Sequence, residues 1–124
     1  MNKKHITHGK LKVFMILFLA VILIVLVVVC AKKIKLSQHE KNIIGTWKNS
    51  NSENVITVHD SDTLILYNDI PEAGLYHGNA SYHFSYTDTI CVTQDDISAE
   101  FCVDVDENQL IIYFAGQVYL VLQK

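Results

Sequence analysis

Few residues of this chain pair a reactive type with a spacing that chemistry could use. Asp104-Val105-Asp106-Glu107-Asn108 has the D-x-D-x-N opening of a calcium loop. Gln109 stands where that loop needs Gly, and Ala115 where a Glu would ligate, so the segment reads as an Asp-rich turn. His59, His77 and His83, with Asp60 or Asp62, are the residue types that hold zinc. They fall on separate strands or loops without a ligand spacing, and exposed strand and loop histidine is the expectation. No metal and no cofactor are therefore expected. No Ser, His and Asp set has a motif around it, no Gly-rich phosphate loop is present, and Asn79-Ala80-Ser81 matches a glycosylation sequon by letters only. Trp47, with Tyr67, Tyr76, Tyr82 and Tyr86, has the rings to stack a sugar or a peptide. Core packing or interface anchoring is the expectation for each of them. A non-catalytic protein is the expectation.

The remaining reactive groups are three cysteines, Cys30, Cys91 and Cys102. Pairing Thr89 to Thr93 with Glu100 to Asp104 about a turn centred on Asp96 and Ile97 sets Ile90 opposite Val103 and Val92 opposite Phe101. The same register sets Cys91 opposite Cys102 on the other face. Directly opposed Cβ atoms lie about 4.5 to 5.5 Å apart, near the separation a disulfide needs, so a cross-strand Cys91–Cys102 disulfide is expected. A one-residue slip would divide the apolar set between the two faces.

These positions require a sheet. Ile43–Lys48, Val55–His59, Thr63–Tyr67, Ser81–Tyr86, Thr89–Thr93, Glu100–Val105, Gln109–Phe114 and Val118–Leu122 are short runs rich in β-branched and aromatic residues. Turn residues separate them, which predicts about eight strands. Hairpin-length links make the sheet an antiparallel meander, closing as a small barrel or half-barrel. A three-residue link at Tyr86-Thr87-Asp88 pairs Phe84 with Ile90 and Tyr82 with Val92. One apolar layer then runs through Tyr82, Phe84, Ile90, Val92, Phe101 and Val103. The last two strands are apolar on both faces, so Tyr113, Tyr119, Leu120, Val121 and Leu122 offer more apolar surface than one face of a hairpin can bury. Trp47, Tyr113 and Tyr119 are accordingly the candidate ligand or partner contacts.

Ahead of the sheet lies a segment of another kind. Val13 to Ala31 is a run of nineteen apolar residues without charge, Pro or Gly, long enough to cross a hydrocarbon core of about 30 Å as a helix. Its Leu, Ile, Val and Phe side chains favour mid-bilayer insertion by at least roughly 5 kcal/mol in sum. All thirteen acids lie after residue 39, while the first 35 residues carry seven Lys and no acid. The remainder holds three Lys against thirteen acids, a formal −10, and the chain has no Arg. A domain of that charge is ill suited to nucleic acid, whose phosphates need cations. The run is longer than the apolar part of a secretory signal and ends without a small-x-small site, which predicts a retained anchor. Cys30 stands where a lipobox cysteine would, but Val29 replaces the small residue that precedes it. The expected division is a basic cytoplasmic tail over 1–12, a transmembrane helix over 13–31, a linker over 32–42 and an extracytoplasmic β-domain over 43–124.

Ile44-Gly45-Thr46-Trp47, followed by an aliphatic strand, the Asp60-Ser61-Asp62-Thr63-Leu64 turn-to-strand and repeated strand and Asp-turn units, resembles the small lipocalin-like domains of bacterial surface proteins and lipoproteins. The resemblance spans roughly residues 43 to 123 and implies a first-strand Gly-x-Trp whose indole closes one end of a barrel. Its strands are only five or six residues long, and the chain is about half the length of full-size lipocalins. The expected function is binding or interaction by a membrane-anchored extracytoplasmic module. The lipid bilayer is one partner, and an envelope protein or a small apolar ligand the other. The alternatives are a structural accessory subunit of an envelope complex and a small-ligand-binding lipocalin-like lipoprotein.

Overall fold

The computed structural model describes residues 2–124, with side chains from residue 9 onward. The side chains of Lys3 and Lys4 in the basic tail lie outside the described residues. A single long helix, α1 (Asn2–Asn42), precedes eight strands: β1 (Gly45–Lys48), β2 (Asn54–Val58), β3 (Thr63–Leu66), β4 (Gly78–Tyr86), β5 (Thr89–Gln94), β6 (Ile97–Val105), β7 (Gln109–Phe114) and β8 (Gln117–Gln123). Residues up to Ile34 form one compact unit and Lys35–Lys124 a second.

In the first unit, α1 carries apolar side chains on every face, and none of its most apolar stretch is buried. A helix apolar all round belongs inside a core or a bilayer. Within Gly9–Asn42 it is long and apolar enough to cross a membrane. The segment expected as a linker over 32–42 is instead helical to Asn42. Its Lys, Leu, Gln and Glu residues are good helix formers, and no Pro or Gly interrupts them.

The second unit is a closed antiparallel barrel in which each strand pairs with the next and β8 returns to β1. Strict alternation drives it: β6 buries Ala99, Phe101, Val103 and Val105 and turns Ser98, Glu100, Cys102 and Asp104 outward. A period of two puts every second side chain on the same face. Eight strands enclose an interior just wide enough for side chains to fill. The hairpin of β4 and β5 has the expected register, with Tyr82 opposite Val92 and Phe84 opposite Ile90.

The next hairpin differs. Its turn is Asp95-Asp96, with Gln94 opposite Ile97, so Ile90 faces Phe101, Val92 faces Ala99 and Cys91 faces Glu100. The turn lies one residue earlier than expected and the register therefore moves by two, which keeps the apolar set on one face. Asp95 adopts φ 53°, a left-handed conformation that Asp tolerates and a β-branched Ile resists. A turn on Asp96-Ile97 would place Ile97 in the tight corner; the observed one places it in a strand.

Both barrel ends are plugged. Ile43, just past the helix, and Trp47 are buried at the end where the chain enters, and Ile70 and Leu75 bridge one another in the long link between β3 and β4. Trp47 is fully buried, and its indole N–H donates to the Ile43 carbonyl at 2.8 Å. Replacing Trp47 by Phe keeps most of the bulk but leaves that buried carbonyl unpaired. A loss of about 1–3 kcal/mol is expected, against about 3–5 kcal/mol for Trp47→Ala. Urea unfolding of the full chain in detergent measures both, and a Trp47→Phe variant as stable as the wild type would show that the hydrogen bond contributes nothing.

Candidate functional site

The barrel interior leaves little room for a ligand. Its central cavity measures ≈ 30 Å³ and is walled by Ile56, Leu64, Ile90, Phe101, Leu110 and their apolar neighbours. That volume holds about one water, and the walls offer it almost no polar partner. Trp47 presents no free face to a ligand. Its ring is covered by the Lys124 side chain, whose ammonium lies 5.1 Å from the ring centroid and donates to the Asn42 carbonyl at 3.0 Å. Lys124 thereby caps the helix C-terminus, where a cation is favoured. Gly45 (φ 137°) makes room for it, because a Cβ there would lie 2.9 Å from Lys124 Cε.

The other two candidate contacts part company. Tyr113 lies on the outer face of β7, opposite Val118 of β8 and beside Cys102 of β6. Tyr119 is the extra residue of a bulge, since Ile112 pairs with Leu120 and Tyr113 with Val118. It packs against the core and stacks edge-on with Phe114. Its hydroxyl donates to Glu72 Oε2 at 3.0 Å, and partial burial together with that carboxylate raises its pKa. A bulge of this kind cannot be read from composition.

Val118 and Val121 are the residues that sequence reasoning underweighted. They are 58% and 50% exposed, and with Ile111, opposite Val121, and Tyr113 they form an apolar strip on the outer wall of β7 and β8. The bulge at Tyr119 puts these two residues, three apart, on one face, a spacing that strand alternation does not predict.

The polar candidates remain apart. His59 and His83 are exposed, and His77 pairs with Asp69 at 2.6 Å. The His77 backbone N–H and then its ring lower the Asp69 pKa. Among the described residues no three His, Cys, Asp or Glu converge as metal ligands. Asp106 accepts the backbone N–H groups of Asn108 and Gln109 at 2.8 and 2.7 Å, which lower its pKa. It is a turn residue, as its sequence suggested. Asp62, Glu40 and Asp60 line an open groove with Tyr82. The phenol of Tyr82 donates to the His59 carbonyl at 3.0 Å, and burial followed by those carboxylates raises its pKa.

The expected Cys91–Cys102 disulfide is absent, and all three cysteines are free. The two-residue register shift is the cause. Cys102 now faces Thr89, so the two thiols are diagonal neighbours. Such pairs stand about 7–8 Å apart, beyond the Cβ separation of about 3.5–4.5 Å that a disulfide needs. No protein-family model matches the chain, and neither a curated protein nor a solved structure is significantly similar to it.

Thiol titration of the denatured, unreduced protein is accordingly expected to find all three cysteines free. Two thiols fewer, restored by reductant, would mean that the hairpin adopts the other register.

Proposed function

We propose that this chain is a membrane-anchored, lipocalin-like interaction module that works without catalysis. In this reading α1 crosses the bilayer once and the barrel stands on the extracytoplasmic side, where its outer β7–β8 wall binds a protein partner. The observation that carries the reading is the contrast between a filled interior and an uncovered exterior. Small-molecule pockets usually measure about 300–1,000 Å³, far above the ≈ 30 Å³ cavity, so the small-ligand alternative loses support. Val118 and Val121, in contrast, leave apolar surface in water, as partner sites do. Lys3, Lys4, Lys10 and Lys12 ahead of the span, against Lys32, Lys33 and Lys35 behind it, support the orientation by a single charge under the positive-inside bias.

Exposed Cys102 is a native reporter of topology. In intact cells an impermeant maleimide is expected to label the wild type more than Cys102→Ser, which keeps the half-buried Cys91; labelling only after lysis would reverse the orientation. A photo-crosslinking residue placed at Val118 is expected to give a discrete protein adduct in membranes. One at Ser81, on the far side of the barrel, is expected to give none. Equal adducts from both positions would overturn the assignment of the β7–β8 wall.

A further inference from the structure

The barrel closes across one seam by a single residue pair, Lys48 with Gln123. The strand β1 has four residues and β8 has seven, so Gln117 to Leu122 run on without a strand on that side. The backbone N–H of Lys124 points towards β7, donating to the Asn108 carbonyl. By alternation Val121 turns its N–H and C=O to the seam, where among the described residues no backbone group meets them. The free stretch contains no charge and no Pro, the two commonest guards of a strand edge. Only the bulge at Tyr119 bounds it, leaving Leu120 to Leu122 as regular edge.

An open groove of ≈ 520 Å³ lies along this edge, lined by Lys48, Asn49, Ser50, Ser52, Val121 and Lys124 among others. From Ile43 onward the chain holds twelve acids and two lysines. Both lysines line this groove, and no Asp or Glu does. The seam is thus where the two lysines of the acidic barrel gather, which favours an anion there.

We propose that the free edge of β8 receives an extended acidic segment of a partner protein, which adds as an antiparallel strand. Its main chain would pair with Val121, its outward apolar side chain would sit beside Val121 and Val118, and its carboxylate would lie between Lys48 and Lys124. Strand addition of this kind draws affinity from the main chain and specificity from alternate side chains. A second copy of this chain fits less well. Two β8 strands pairing edge to edge bring no carboxylate to the lysines, because β8 has no Asp or Glu. The inference rests on the interaction-module reading and names the chemistry of its partner.

The test uses the full chain in detergent micelles and a labelled synthetic peptide that alternates Val and Thr and ends in Asp, with a Lys-ended counterpart. Fluorescence anisotropy is expected to give binding at least about tenfold tighter for the Asp-ended peptide, and Lys48→Glu is expected to reverse that order. Val121→Pro removes an N–H that the β7 ladder does not use, and is expected to abolish binding while the circular dichroism stays native. Should that variant fail to fold, amide exchange at Val121 in the wild type, slowed by the Asp-ended peptide alone, provides the same reading. Equal binding of both peptides, or binding that survives Val121→Pro, overturns the proposal. Self-association that rises with protein concentration and disappears in Val121→Pro also overturns it, in favour of a second copy. If the peptides fail while the Val118 crosslink persists, strand addition alone falls; if both fail, the interaction-module reading falls with it.

Discussion

The hydrogen bond from the Trp47 indole to the Ile43 carbonyl is the constraint around which the barrel is organised. A fully buried indole needs a partner for its N–H, and Ile43 lies just outside β1, at the point where the chain leaves the helix. Joining them fixes the reversal from helix to strand, which Gly45 permits through its positive φ. Lys124 then returns from the far end of the chain to cover the same indole and the last helical carbonyl. His39 adds a second tie, its ring nitrogen meeting the Thr87 carbonyl at 2.6 Å. The helix end, the first strand and the last residue thus meet around one side chain.

Strand length decides what the barrel can be used for. With strands of four to nine residues, large inward side chains from opposite walls meet in the middle, and the plugs Ile43, Ile70 and Leu75 occupy both mouths. The apolar residues that remain have nowhere to go but the outer wall. Burying a Val or Leu side chain is worth about 1.5–3 kcal/mol, so a strip containing Val118, Val121, Tyr113 and Ile111 is a substantial binding resource once a partner excludes water from it. Charge sharpens this. The acids crowd the turns and outer faces, and the two barrel lysines flank the seam.

Much of this was legible from the chain. The eight strands fall within a few residues of the apolar runs, because alternation between buried and solvated positions is a local property. The register of β4 against β5 is also the one expected from sequence, with Tyr82 opposite Val92 and Phe84 opposite Ile90. The register of β5 against β6 is not. Two turns one residue apart keep the apolar layer intact, and the choice between them rests on the backbone strain that Asp95 accepts and Ile97 would not. That choice separated the cysteines.

The sequence by itself determined the apolar helix, the antiparallel barrel and the split between a cationic start and an anionic remainder, because each arises from residue type and spacing along the chain. Only the tertiary structure decided that residues 32–42 continue the helix, that Tyr119 bulges inward while Val118 and Val121 stay outside, and that β8 keeps a free edge at the seam. Those outcomes depend on how strands of unequal length meet when a sheet closes on itself, a geometric condition on the whole barrel that no local pattern encodes.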